Sequence, residues 1–289
     1  MADGKTRSGS GRKLLMRLTR TFVIVALLFV MLRWFEHSQV YHPDRQLTAS
    51  PAELGRAFED VRFKASDGVL LHGWFYPADT NSQCGQIVFL ICHGNAGNIG
   101  GRLNLCRALL ATGASVFVFD YRGFGESQGK PGEEGTYLDA QAAHAWLRQN
   151  GFQAENVIAY GESLGGGVAS ELAARETVGG VVLQSTFTSI PDVGRELYPW
   201  LPVRLISTIK YDTHAKLPRI KAPVLILHSR TDDLIAYHHA EANFSAANEP
   251  KRFCELNGVH NEAVWESPGF GEGIEWLLRL VQERTPRVP

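Results

Sequence analysis

A serine flanked by glycines, Gly161-Glu162-Ser163-Leu164-Gly165, follows the apolar run Val157-Ile158-Ala159-Tyr160 and precedes a helix-like segment from Val168 to Arg175. A strand turning straight into a helix strains the backbone at the corner and lifts that side chain above the sheet edge. The flanking glycines keep Cβ atoms out of the close strand–helix approach. Ser163 then lies at a helix N-terminus, where free N–H groups and the dipole favour developing negative charge. The chemistry open to such a residue is nucleophilic attack on an acyl carbon. In a chain with 29 glycines the pattern alone carries little weight. A neutral hydroxyl also needs a base, and the base needs an orienting carboxylate.

Two later loops supply both, in the order serine, acid, histidine expected of a strand–elbow–helix nucleophile. The run Val224-Leu225-Ile226-Leu227 leads into His228-Ser229-Arg230-Thr231-Asp232-Asp233, and Arg252 to Leu256 leads into Asn257-Gly258-Val259-His260. The acid is Asp232 or Asp233; Asp232 is read as the acid and Asp233 as a cap for the helix starting near Ala236. His260 is read as the base. His228 closes a strand and is read as anchoring its loop, and His144 as a solvated-face or packing residue. His37, His42, His214, His238 and His239 are read as surface or linker residues. A tetrahedral oxyanion also needs donors, worth about 3–4 kcal/mol each. The Leu164 N–H is one candidate, and the Asn95 or Ala96 N–H in the glycine-rich loop His93-Gly94-Asn95-Ala96-Gly97-Asn98 is the other.

The elements that must hold these groups are legible in outline. Gln86 to Cys92 and Ser115 to Phe119 are continuous apolar runs, as in strands covered on both faces. Phe58 to Lys64 and Val69 to Tyr76 alternate around Ser66-Asp67-Gly68, predicting an edge hairpin. Val157 to Tyr160, Val181 to Leu183, Val224 to Leu227 and Arg252 to Leu256 complete the strands. Arg102 to Ala111, Glu133 to Gln149 and Gly273 to Glu283 show helical spacing, and Pro51 to Ala57 predicts a short helix. Strands alternating with helices predict an α/β fold with a mostly parallel central sheet and helices on both faces. Between Phe187 and Ala222 four prolines break the rhythm; residues 188–221 are read as a small helical lid above the carboxyl ends of the strands.

Length and composition agree. The chain has 289 residues, is 44% hydrophobic and 20% charged, and carries a formal net charge of −1. That suffices for one core of roughly 200–250 residues plus a tail. Near-neutral charge gives no support for nucleic-acid binding. The four cysteines show neither metal-ligand spacing nor a disulfide framework, and the set of catalytic groups calls for no cofactor or metal. At the N-terminus, residues 1–20 read as a basic disordered tail, 21–35 as an uncleaved membrane anchor and 36–57 as a linker to the domain at 58–289. The uncharged core from Phe22 to Leu32 is short of the ~20 residues that span a bilayer, but arginines at both ends can snorkel. A cleaved signal peptide is the rival, and Arg33-Trp34-Phe35-Glu36-His37 is a poor cleavage site. The basic excess before the segment places the N-terminus in the cytoplasm and the domain across the membrane.

Over roughly residues 58–283 the chain resembles the α/β-hydrolase superfamily. The His93 to Asn98 loop, Asp120-Tyr121-Arg122-Gly123-Phe124-Gly125-Glu126-Ser127 and the Ser163 elbow are similar to one branch of it. That branch holds membrane-anchored α/β-hydrolase-domain proteins related to serine aminopeptidases, some of them depalmitoylases. The resemblance implies Ser163 as nucleophile, Asp232 as acid and His260 as base, with Asp120 to Ser127 shaping a loop beside the site. The anchor followed by Tyr41-His42-Pro43 fits the same branch. His228-Ser229-Arg230 departs from the more usual His-Gly-Thr, and the cysteine clusters of lipidated depalmitoylases are absent. The expected activity is hydrolysis of an ester or thioester of a small or lipid-like acyl substrate. The alternatives are a serine peptidase on the same triad and a non-catalytic membrane-anchored binding protein.

Overall fold

Between Arg12 and Gln39 there is neither glycine nor proline, and in the computed structural model this stretch is one helix, α1 (Ser8–Val40). The structure describes residues 8–262 and 264–284. The helix therefore takes in residues 8–20, read above as disordered tail, and the first part of the 36–57 linker. Leucines, arginines and methionine are good helix formers, and the first breaker beyond Gly11 is Pro43. Residues 1–7 of the expected tail lie outside the described residues. The chain divides into two units, one ending at Val40 and one beginning at Tyr41.

The second unit opens with a two-residue strand, β1 (His42–Pro43), and then the antiparallel hairpin β2 (Glu59–Lys64) and β3 (Leu70–Tyr76). Pro51 to Leu54 forms a single 3-10 turn in place of the short helix expected to Ala57. It stops there because Gly55, at φ +68, leaves the helical region. Next come β4 (Val88–Cys92), the short β5 (Ala96–Gly97) paired with β1, α2 (Leu103–Leu110), β6 (Ser115–Asp120) and α3 (Glu133–Gln149). They are followed by β7 (Val157–Glu162), α4 (Leu164–Arg175) and β8 (Gly180–Gln184). Three short helices, α5 (Ile190–Leu197), α6 (Val203–Ile206) and α7 (Thr213–Lys216), lead to β9 (Val224–Ser229), α8 (Tyr237–Ala246), β10 (Lys251–Leu256) and α9 (Pro268–Arg284).

The main sheet has eight strands in the order β10-β9-β8-β7-β4-β6-β3-β2. Its members from β10 to β6 run parallel, and the β2–β3 hairpin joins antiparallel at one edge. Strands β4, β6, β8 and β9 are buried at every position, because helices cover both faces. On one face Phe89, Ile91, Val116, Val118, Ile158 and Tyr160 pack with Leu105 and Leu109 of α2 and Ile274 and Leu277 of α9. Helices α3, α4 and α8 cover the other, with α4 against β7, β8 and β4. From β4 the chain crosses to β6 on one side and returns to β7 on the other. The crevice at the carboxyl ends of β4 and β7 is thus the topological switch point, where open α/β sheets hold their ligands.

The interval read as a lid divides in two. Pro191 sits in the first turn of α5 behind the capping Ser189, whose side chain accepts the Asp192 N–H. Residues 190–206 form its exposed part. From Tyr211 onward the chain belongs to the body: Tyr211, Leu217 and Ile220 are fully buried, and α7 packs on α4 and α8. Glu133 receives the Lys210 and Tyr211 amides and the Tyr137 hydroxyl, and the Tyr211 hydroxyl bonds Tyr41 and Thr136. The expected lid end at 221 is therefore about ten residues too late, since buried apolar residues behind a proline give no local sign of which layer they join.

Candidate active site

Ser163 is the corner between β7 and α4, at φ 52 and ψ −116, a region costly for a residue with a side chain. Two glycines make the corner sterically feasible. A Cβ at Gly161 would stand 2.5 Å from the Gly165 carbonyl oxygen, and one at Gly165 would stand 1.9 Å from that of Cys92. The elbow is pinned from β8 and the loop after it: the Ser163 N–H donates to Gln184 O at 2.9 Å, and Thr186 Oγ1 donates to Ser163 O at 2.7 Å.

The loops after β9 and β10 bring the other two groups to it. His260 Nε2 lies 3.0 Å from Ser163 Oγ. Its Nδ1 lies 2.8 and 3.0 Å from the two oxygens of Asp232. Facing a carboxylate, Nδ1 carries the proton, so the Nε2 lone pair is turned to the serine hydroxyl. Asp232 also accepts the Leu234 and Ile235 amides at 3.0 and 2.8 Å. Burial pushes this carboxyl up, but the His260 hydrogen bond and the two amides outweigh it and hold Asp232 below the usual carboxylate range. His228 is buried, with Nε2 2.9 Å from Ile235 O, and burial lowers its proton affinity. It fastens the Asp232 turn from below and does not meet Ser163.

Asp233 does not cap a helix. Helix α8 starts behind Ala236 without a side-chain cap, and Asp233 Oδ1 accepts the His260 backbone N–H at 3.1 Å. Adjacent aspartates thus hold the ring and the main chain of one histidine. His239 departs from its reading as a surface residue: it is 1% exposed, inside α8 and against the chain entering α5. The solvated alternative for His144 also falls away, because that side chain is buried in α3.

The glycine-rich loop after β4 lies beside the elbow. A Cβ at Gly94 would be 3.7 Å from Ser163 Cβ. Leu164 is the first residue of α4, so its N–H has no intrahelical acceptor. Asn95 offers its carbonyl to the His42 N–H at 2.9 Å, which ties the loop to β1. Ala96 O accepts Arg102 Nη2 at 3.2 Å, while Arg102 Nε donates to Glu162 at 2.8 Å. The charged residue inside the elbow is thus joined through one guanidinium to the loop 94–97. That link and Thr186 are the neighbours the sequence reading missed; a charged residue between strand and nucleophile was the available sign. Asp120 accepts the Ile99 amide at 3.0 Å, and a Cβ at Gly125 would stand 2.0 Å from its Oδ2. Tyr121 OH donates to His93 O at 3.1 Å. The Asp120 to Ser127 segment therefore braces the base of the glycine-rich loop.

A hydroxyl, an imidazole and a carboxylate in series, at the switch point of this sheet, mark a hydrolase architecture, and the chain belongs to the α/β-hydrolase family. The family described as alpha/beta hydrolase fold matches residues 87–209. Among its relatives is the uncharacterized protein Rv2307c of Mycobacterium tuberculosis (strain ATCC 25618 / H37Rv), 37% identical over 242 residues, 83% of this chain and 85% of the relative. The alpha/beta hydrolase domain-containing protein WAV2 of Arabidopsis thaliana is 31% identical over 290 residues, 90% of this chain and 93% of the relative. Of solved structures, the Pyrococcus furiosus esterase Pf2001 superposes with a TM-score of 0.65 at 22% identity, covering 84% of this chain and 96% of that one. This last likeness is one of fold.

Proposed function

We propose that the protein is a serine hydrolase that cleaves carboxylic esters or thioesters through an acyl-serine intermediate. The observation that carries the reading is the unbroken series Ser163 Oγ, His260 Nε2, His260 Nδ1, Asp232, at 3.0 and 2.8 Å. His260 takes the hydroxyl proton as Ser163 attacks the acyl carbon. The imidazolium so formed faces Asp232, and it returns the proton to the leaving alcohol or thiol. Water then repeats the cycle on the acyl-serine. The oxyanion is received by the Leu164 N–H at the start of α4 together with the Asn95 or Ala96 N–H of the loop after β4. None of these steps asks for a cofactor. The esterase Pf2001, which shares this fold, supports the ester reading, and the exposed lid helices fit a small-molecule or lipid-like acyl substrate.

Helix α1 we read as a single-pass anchor, N-terminus in the cytoplasm and hydrolase domain on the opposite side, from its length and apolar composition near the N-terminus and its flanking arginines.

A fluorophosphonate probe is expected to label the protein covalently, and Ser163→Ala to abolish labelling. Hydrolysis of short p-nitrophenyl esters should fall steeply with His260→Ala and survive largely in His228→Ala. Labelling that persists without Ser163 would remove the serine from its role.

A further inference from the structure

Outside the serine–histidine–aspartate series, a carboxylate near the C-terminal end of α5 meets two consecutive histidines of α8. His238 Nε2 lies 3.0 Å from Glu196 Oε1, and His239 Nε2 lies 3.3 and 3.4 Å from its two oxygens. One donor atom from each of the three residues falls within 4.8 Å of the others, and the two rings stack with centroids 4.4 Å apart. A charge-assisted hydrogen bond is normally shorter, about 2.7–2.9 Å. Two ligands held about 2.0–2.1 Å from a shared tetrahedral ion stand about 3.3–3.4 Å apart. The longer spacing around His239 is compatible with atoms sharing an ion, while the His238–Glu196 contact at 3.0 Å is that of a hydrogen bond.

We infer that Glu196, His238 and His239 form a binding site for a divalent cation of the zinc, cobalt and nickel class, joining the lid helix α5 to the body helix α8. Two imidazoles and one carboxylate are a borderline-soft donor set suited to these ions, and three protein ligands leave a position for water. The other nitrogen of His239, Nδ1, has two neighbours that favour opposite tautomers. It lies 2.9 Å from Thr188 Oγ1, which donates its own proton to Asp192 Oδ2 at 2.8 Å and so keeps a lone pair for an Nδ1–H. The Thr188 N–H also points at Nδ1, at 3.3 Å, the arrangement of the opposite tautomer. A cation on Nε2 selects the Nδ1–H form and completes a carboxylate–hydroxyl–histidine–metal series. Because Glu196 rides on α5 and the histidines on α8, a bound ion ties the C-terminal end of α5 to the body.

The test is a Co2+ titration of the full chain without a histidine tag, in detergent micelles. We expect one Co2+ per chain with the visible absorption of a four- or five-coordinate ion, displaced by Zn2+. Glu196→Gln and His238→Ala, both at solvent-accessible side chains, should each weaken binding by more than about tenfold, since changes merely outside a metal's ligand set already cost that much. Zn2+ should also slow amide exchange over residues 190–197 in the unaltered chain and not in Glu196→Gln. Absence of the absorption in the millimolar range, or binding indifferent to both substitutions, would overturn the site. None of these readouts involves hydrolysis, so they stand whatever becomes of Ser163.

Discussion

His260 is held by two neighbouring aspartates that do different work. Asp232 grips Nδ1 and, through Oδ1, two amides of its own turn. An asparagine there must keep its oxygen on the amides, so its NH2 would face the ring. Nδ1 would then become the acceptor and Nε2 would carry the proton, pointing a donor at a hydroxyl that needs a base. Asp232→Asn is therefore expected to lower kcat for ester hydrolysis by about 10⁴, the loss seen when such a base is locked in the wrong tautomer. Asp233 holds only the main-chain N–H. Losing that bond in Asp233→Ala costs about 0.5–1.5 kcal/mol, roughly tenfold at most, and Asp233→Asn, which still accepts, should be near the unaltered rate. Steady-state hydrolysis of p-nitrophenyl butyrate separates these cases; equal losses at both positions would contradict the division of labour.

The exposed segment 190–206, read as a lid, depends on one buried-edge carboxylate. Asp192 accepts the hydroxyls of Thr188 and Ser189 at 2.8 and 2.7 Å and pairs with Arg204, linking the start of α5 to α6. Burial pushes its pKa up, but Arg204, Ser189 and Thr188 prevail and hold it at about 2. With an unfolded value of about 3.9, its contribution is fully present above pH ~4 and is lost as pH falls through about 2. Asp192→Asn should speed amide exchange over residues 190–206 at neutral pH. The gap to the unaltered protein should stay constant down to about pH 4 and close below it. A gap as wide at the acid end as at neutrality would show that the ionised form is not what holds the lid. Elements such as β4, β6 and α3 were legible because their signals are local: unbroken apolar runs, or helical spacing within one segment. Helix α9 starts at Pro268, five residues before the expected Gly273, because Gly269 and Gly271 speak against a helix. A Cβ at Gly269 would lie 2.2 Å from Glu255 O, so that glycine serves close packing on β10 and tertiary contact overrides propensity. The candidate nucleophile, acid and base were legible through their positions after strands. Arg102 with Glu162, Asp233 with the His260 amide, and His239 with Glu196 were not, because each joins residues far apart in sequence without a periodic mark.

At the scale of the whole chain, two units carry different physics. The unit from Tyr41 has its own closed core, whereas α1 carries Phe22, Ile24, Leu27, Phe29 and Trp34 exposed. Each such side chain gains about 1.5–3 kcal/mol on leaving water, which is the physical ground for the proposed anchor. Its stretch Arg12–Val40 has 29 residues, about 43 Å at 1.5 Å per residue, against a hydrocarbon layer of about 30 Å. In the proposed anchor the surplus would let Arg12, Lys13 and Arg17 remain among headgroups at one end while Arg33, paired with Glu36 at 2.9 Å, would near the other. The full chain should therefore resist carbonate extraction, while a chain beginning at Tyr41 should be soluble, keep the Tyr41–Tyr211 bond and still take the fluorophosphonate probe. In sealed vesicles the domain should be digested only by protease on the non-cytoplasmic side. Release of the full chain by carbonate would make α1 a surface helix, and a mature N-terminus near Glu36 would make it a cleaved signal; either result would overturn the proposed anchor.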